Sequence, residues 1–363
     1  MFKLIHSDGK ARIGRLKTKH GIVETPLFMP VATKGAVKLI DTSELKEMNV
    51  QGIISNAFLL SLKPGLDIAK DLHKFMDWNR VIFTDSGGFQ ILSMNNVFKG
   101  IKKNGINFKN PFNGEEHLLT PEKVMEIQKI LGSDVAMALD HMPLYGLDFK
   151  KVKEAVEDTH RWAEICLEKK NEKQLLFGIA QGGIYPELRK KSTEFINSLD
   201  FDGVALGGLC IGESKEDMHK MIKLSIPLIK DKPRYLMGVG SPVELINCIG
   251  EGIDVFDSVF PTRNARHGHI ITKKGAVNIE NSEYRKDFSA LDENCKCKVC
   301  RKYSKAYINH LFNSTEYLGL RLATYHNLFF IQNLIKEVKK AIKEKNFEKF
   351  KKEFIKNYKN EHK

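Results

Sequence analysis

Three aspartates each stand at the end of a short apolar run: Asp85 after Val81-Ile82-Phe83-Thr84, Asp140 after Ala138-Leu139, and Asp257 after Val255-Phe256. A carboxylate can accept a hydrogen bond, move a proton or attack an electrophilic carbon, depending on its surroundings. Gln181, in Ala180-Gln181-Gly182-Gly183, adds an amide that both donates and accepts. Glycines sit beside these positions, at Gly87, Gly88, Gly207 and Gly208, and let a flat ligand come close to the backbone. Carboxylates, one amide and glycines suit a polar heterocycle. Guanine presents N1–H and a 2-amino group side by side, and one aspartate can accept from both. Any single aspartate also fits a helix N-cap, since strand-to-helix turns often end in Asp. Three together, with Gln181 and the glycines, point to a ligand. Beyond Asp257 come Arg263 and Arg266, and two arginines next to a reacting carboxylate suit a phosphate backbone. Asp254 is read as a structural residue within the run that leads to Asp257.

A second constellation is Cys295-x-Cys297-x-x-Cys300. Three thiolates this close need one more ligand to close a tetrahedral zinc site. His326 is the candidate and His310 the competitor. A closed Cys3His site is structural rather than catalytic. An iron–sulfur cluster would ask for a fourth nearby cysteine, and none is close. Cys166, Cys210 and Cys248 read as reduced packing residues.

Something must bring these residues together. Apolar runs recur near Pro26–Val31, Gln51–Ser55, Arg80–Thr84, Asp134–Leu139, Leu175–Ala180, Gly203–Leu206, Arg234–Met237 and Gly252–Phe256. Continuous apolar runs fit parallel strands buried on both faces. The intervening segments read as helices: Thr120-Pro121-Glu122 and Ser241-Pro242-Val243-Glu244 are start signals, and Asp148–Glu168 is amphipathic. Eight strands alternating with helices predict an α/β (β/α)8 TIM barrel, whose site lies at the C-terminal ends of the strands. The runner-up, an open doubly wound sheet, lacks its nucleotide-binding glycine loop. Arg12–Leu16 and His20–Val23 read as an antiparallel hairpin ahead of the barrel, covering its bottom. The predicted division is residues 1–277 for the barrel with its N-terminal β extension, 278–326 for an inserted zinc-binding subdomain, and 327–363 for C-terminal helices that include the last barrel helix.

Composition bounds the partners. The 363 residues carry a net charge of +13, with 42% hydrophobic and 28% charged residues. That excludes a disordered or collagenous chain. No apolar run reaches the ~20 residues a membrane helix needs, and the N-terminus has no signal-peptide core, so a cytoplasmic protein is expected. The positive charge favours a polyanion such as nucleic acid, although a lysine-rich surface accounts for part of it.

At these residues the sequence resembles the tRNA-guanine transglycosylase family, in its bacterial queuine tRNA-ribosyltransferase branch. The shared motifs are T-D-S-G-G-F-Q, F-G-I-A-Q-G-G, G-G-L-C-I-G-E, Y-L-M-G-V-G, G-I-D-V-F-D-S-V-x-P-T-R-x-x-R-x-G, C-K-C-x-x-C and H-N-L. They appear in the family's order from about Pro26 to Phe330. The resemblance implies exchange of guanine 34, in tRNAs with a GUN anticodon (Asp, Asn, His and Tyr), for a free 7-deazaguanine base in queuosine biosynthesis. It implies Asp257 as nucleophile and Asp85 as general acid/base. It implies Asp140, Gln181 and Gly208 on the base edge with Ser86 beside Asp85, Phe89 and Met237 sandwiching the ring, and Leu209 and Glu213 at the substrate's aminomethyl arm. Arg263 and Arg266 would meet the anticodon backbone. Cys295, Cys297, Cys300 and His326 would hold structural Zn2+, and the protein would be a homodimer. The chain departs from the family at Asp140-His141-Met142 (the family has D-E-C), at Asn56-Ala57-Phe58-Leu59 (N-T-Y-H) and at Cys210-Ile211 after G-G-L. These departures bear on the incoming base. PreQ1 is the expected one; a queuine-salvaging enzyme and a catalytically silent tRNA-binding subunit are the alternatives.

Overall fold

The computed structural model describes residues 2–94 and 96–358, so the last five residues of the basic tail lie outside the described part. The chain opens with an antiparallel sheet of β1 (Phe2–Asp8), β2 (Ala11–Thr18) and β3 (Gly21–Glu24). Sequence periodicity anticipated β2 and β3 and missed β1. Then come β4 (Leu27–Pro30), β5 (Gly52–Asn56) and β6 (Val81–Asp85). A small antiparallel sheet follows, of β7 (Phe98–Lys102), β8 (Gly105–Lys109) and β9 (Glu116–Leu119), which no sequence pattern announces. The main sheet resumes with β10 (Val135–Met137), β11 (Leu175–Ala180), β12 (Gly203–Leu206), β13 (Arg234–Leu236) and β14 (Val255–Ser258). Its order is β4-β14-β13-β12-β11-β10-β6-β5, with every pair parallel. A parallel bridge between Val31 and Ile54 brings the two edges together into a barrel. The hairpin β15 (His269–Thr272) and β16 (Gly275–Asn278) leads into the cysteine segment.

The barrel is filled. Met29, Ile54, Phe83, Met137, Phe177, Ile179, Tyr235 and Val255 form one buried cluster, which Leu16 of β2 and Val23 of β3 join from below. The N-terminal sheet therefore plugs the floor. A second, larger apolar layer lies between the strands and their helices, which is why both faces of each strand are apolar. The helix starts were readable locally. Thr120 accepts from the Lys123 N–H ahead of Pro121–Leu131, and Asp148 accepts from the Lys151 N–H ahead of Phe149–Glu168.

Two readings shift. The last strand begins at Val255 rather than Gly252. Gly252 turns with φ +97°, and Asp254 is withdrawn beneath the barrel, where it accepts from Arg12 Nε (2.9 Å) and the Arg234 N–H (2.8 Å). It is fully buried and structural, as read, but it stands before the strand. The C-terminal helix is longer than expected. It runs unbroken over Tyr317–Lys343, so His326 and the last barrel helix share one element.

Candidate active site and metal centre

The strand ends deliver their residues to one place. A cavity of about 540 Å³ at the C-terminal end of the barrel is lined by Asp85 of β6, Asp140 beyond β10, Gln181 beyond β11, Gly208 beyond β12 and Asp257 of β14. Phe89, Leu209, Met237 and Arg263 complete the predicted residues on its wall. Met142, Cys210 and Ile211, three of the positions that depart from the family pattern, line it too. Cys210 is exposed with φ +64°, so it is not the packing residue the sequence suggested; Cys166 and Cys248 are buried.

Three predicted residues lie off the wall. Ser86 is buried, and its hydroxyl accepts from the Gly88 N–H at 3.4 Å. Glu213 turns its carboxylate back onto its own loop and accepts from the N–H groups of Cys210 and Ile211, the latter at 3.0 Å. Arg266 is half-buried and donates to the Thr262 carbonyl at 2.8 Å.

The carboxylates share a desolvated space. Burial pushes Asp85 up to about 7, and the charges of Asp140 and Asp257 add to the shift. Asp140 rises to about 6 by burial, against the pull of the Gln181 amide, which donates to its Oδ2 at 2.6 Å. Asp257 is raised by burial and held back by two donors on the same oxygen. These are the Tyr235 hydroxyl (2.6 Å) and the Gly238 N–H (3.2 Å), both on Oδ1. Among the described residues no protein donor reaches its Oδ2. That oxygen is the one free to attack, and Asp85, poised near neutrality, can deliver or accept a proton.

Sequence reasoning passed over Tyr235. A tyrosine inside an apolar strand was the available signal, because a buried phenol needs a partner. Asn56, named from the sequence only within the segment that departs from the family, was given no role toward Asp85; its Nδ2 lies 3.4 Å from Asp85 Oδ2.

The cysteine cluster closes. Cys295, Cys297, Cys300 and His326 present ligand atoms that all lie within 4.8 Å of one another. His326 Nδ1 is 3.2 Å from Cys300 Sγ and 3.6 Å from Cys297 Sγ. Its Nε2 donates to the Ile271 carbonyl at 2.8 Å, which leaves the Nδ1 lone pair facing the sulfurs. Hydrogen bonds from Cys295 and Cys300 bring the Cys297 thiol down to about 4. His310, the competing ligand, instead contacts Ser314, which caps the C-terminus of its own helix. Three thiol sulfurs and one oriented imidazole fit a closed tetrahedral ion, and zinc suits that donor set.

A second trio, His20, His73 and Asp134, lies under the barrel floor. His20 Nδ1 is 3.0 Å and His73 Nε2 3.2 Å from the Asp134 carboxylate. The two rings are stacked with centroids 3.5 Å apart. Two imidazoles sharing one zinc ion in their ring planes would hold their centroids about 5 Å apart. The trio therefore does not fit a shared ion. It is a hydrogen-bonded clasp: Asp134 also accepts from the His20 and Ile82 N–H groups and joins the N-terminal sheet to β6. A groove of about 1000 Å³ nearby, between β3 and the helix Tyr317–Lys343, brings no three acidic groups together among the described residues, and its Lys339 and Lys343 are spent on Glu24.

A family profile described as Queuine tRNA-ribosyltransferase matches residues 7–360. Curated proteins named queuine tRNA-ribosyltransferase align along nearly the whole chain. The one from Bacillus velezensis is 49% identical over 354 residues, 96% of this chain and 93% of its own. Those from Bacillus subtilis (48% over 354 residues, 96% and 93%) and Natranaerobius thermophilus (46% over 360 residues, 98% and 97%) are similar to it in the same way. No helix among the described residues is long and apolar enough to cross a membrane.

Proposed function

The chain belongs to the queuine tRNA-ribosyltransferase family, and we propose that it is the pentosyltransferase that exchanges guanine 34 of GUN-anticodon tRNAs for a free 7-deazaguanine, preQ1 by preference. The observation that carries this reading is the pair Asp85 and Asp257 in one cavity, one buffered near neutrality and the other with a single unencumbered oxygen.

Exchange without an energy source needs the ribose held while bases swap. The anticodon base leaves its stack and enters the cavity. Asp257 Oδ2 attacks ribose C1′ and the C1′–N9 bond breaks, while the Asp85 carboxyl gives its proton to the departing guanine. The ribose is then an ester of Asp257. An incoming base binds the same walls, gives its N9 proton to Asp85, and attacks C1′ through N9. The Asp257–C1′ bond breaks and the carboxylate returns. Asp140, Gln181 and Gly208 read groups the two bases share. Phe89 and Met237 lie against the ring, and Ser86 supports the Asp85 turn. The Leu209 carbonyl meets the aminomethyl arm, and Glu213 acts on that contact through the loop it holds. Arg263, with Arg266 behind it, takes the backbone phosphates. Bound zinc would fold the 278–326 segment and take no part in the exchange. Exposed Phe288, Tyr307 and Tyr317 of that region are available for a homodimer contact.

Labelled guanine supplied with tRNA(Asp) or tRNA(Tyr) transcripts should enter position 34, and preQ1 should chase it out better than queuine. A better chase by queuine would make this a salvage enzyme. No incorporation, with tRNA still bound, would make it a silent subunit.

A further inference from the structure

Arg189, on the helix Pro186–Ser198, is completely buried behind the base-reading loops. Among the described residues it has no ion-pair partner, and its Nε reaches no acceptor. A guanidinium taken out of water without a carboxylate is expensive, so its remaining contacts matter. They are all to backbone carbonyls. Nη1 donates to Ala180 (3.0 Å) and Gly207 (2.9 Å), and Nη2 donates to Gly183 (2.9 Å). These carbonyls flank Gln181 on one loop and Gly208 on the next. The Gly207 N–H closes the same set by donating to the Ala180 carbonyl at 3.0 Å. Gly182 makes the approach possible: a Cβ there would stand 2.6 Å from the Arg189 backbone nitrogen.

The consequence follows from peptide planarity. The Gly207–Gly208 bond is trans, so its C=O and N–H point in opposite directions. With the Gly207 oxygen drawn inward onto Arg189, the Gly208 N–H is turned outward, toward the cavity that both glycines line. No protein acceptor for that N–H is found among the described residues. We infer that Arg189 is a positioning residue for base selection: by clamping the Gly207, Ala180 and Gly183 carbonyls it fixes the Gly208 N–H as a donor toward an acceptor at C6 of the base. This rests on the reading of Gly208 as part of the base pocket.

The test compares two free bases with the full-length protein. Guanine and 6-thioguanine share the N1–H and 2-amino donors and differ in the acceptor at C6, where sulfur accepts weakly. Calorimetric Kd values for the unsubstituted protein should favour guanine by about 5-fold or more, the worth of one ordinary hydrogen bond. Arg189→Met should weaken guanine binding and bring the ratio below about 2. Arg189→Lys keeps the charge but not the fork, and it should fall between the two. The Lys variant also carries the test if the Met variant does not fold. A merely structural role would lower Tm and weaken both bases equally; an unchanged ratio in a folded variant overturns the inference. Equal affinity for the two bases in the unsubstituted protein would instead sink the reading of Gly208 itself.

Discussion

The two ends of the barrel handle buried carboxylates in opposite ways. At the floor every buried acid is matched. Asp134 takes two backbone N–H groups and faces one nitrogen of each of two stacked imidazoles; despite burial, the His73 contact and those N–H bonds hold it down at about 2. Asp254 is raised by burial, yet Arg12 and the Arg234 N–H compensate it directly. At the mouth Asp85, Asp140 and Asp257 face one another across a cavity, with no ion-pair partner among the described residues. They are held by neutral donors, and Asp85 and Asp140 are pushed to about 7 and about 6. The floor spends its polar groups on stability. The mouth keeps charge unpaired, and unpaired charge is what can react.

Substitutions should separate the two ends. The largest effect is expected at the mouth: Asp257→Ala should cut base exchange by at least about 1000-fold while tRNA affinity and Tm are kept. The matching change below, Asp254→Ala, strands Arg12 and should cost about 3–5 kcal/mol of stability in denaturant titrations. If the losses came out the other way round, the contrast between the ends would be wrong. Tyr235→Phe should slow exchange by about 10-fold, since it removes one hydrogen bond to a charged group. The lost donor favoured ionised Asp257, so the acid limb of the pH–rate profile should move upward; an unmoved limb would remove Tyr235 from the mechanism. A smaller effect separates the ends by pH. The Asp85 pKa is raised from its ordinary 3.8 to about 7, so ionising it in the fold costs stability. That cost is absent below about 4, grows as pH rises toward 7, and is complete above it. Asp85→Asn should therefore raise Tm at pH 8 and leave it unchanged at pH 4. Away from both ends, Cys297→Ser should lower bound metal and Tm together.

Much of this was legible in the residues. The eight apolar runs map onto eight strands because a parallel strand buried on both faces needs no alternation. The aspartates could be placed at the mouth because barrel chemistry collects at strand ends. What escaped depends on partners far apart in sequence. Tyr235 is an ordinary apolar-strand residue until Asp257 stands opposite. Arg189 looks like a solvent-facing helix position until three carbonyls converge on it. The strands β7–β9 are short and mixed in burial, and their pairing gives them identity rather than their pattern. Asp254 was read as structural, but its register could not be seen, since that is set by Arg12, which lies in β2.

β4 pairs with β14, Leu27 against Val255, and the helix Tyr317–Lys343 comes back to the same strand, where Gln332 donates to the Phe28 carbonyl. Residues 304 positions apart are thus hydrogen-bonded neighbours. During synthesis β4 must wait, with one edge unsatisfied, until β14 (Val255–Ser258) has left the ribosome. Contacts this remote in sequence form slowly, and an open strand edge invites pairing with other chains. A nascent chain stalled before residue 255 should therefore be prone to pair with other chains, and the yield in the cell should depend on chaperones more than the finished enzyme's stability suggests.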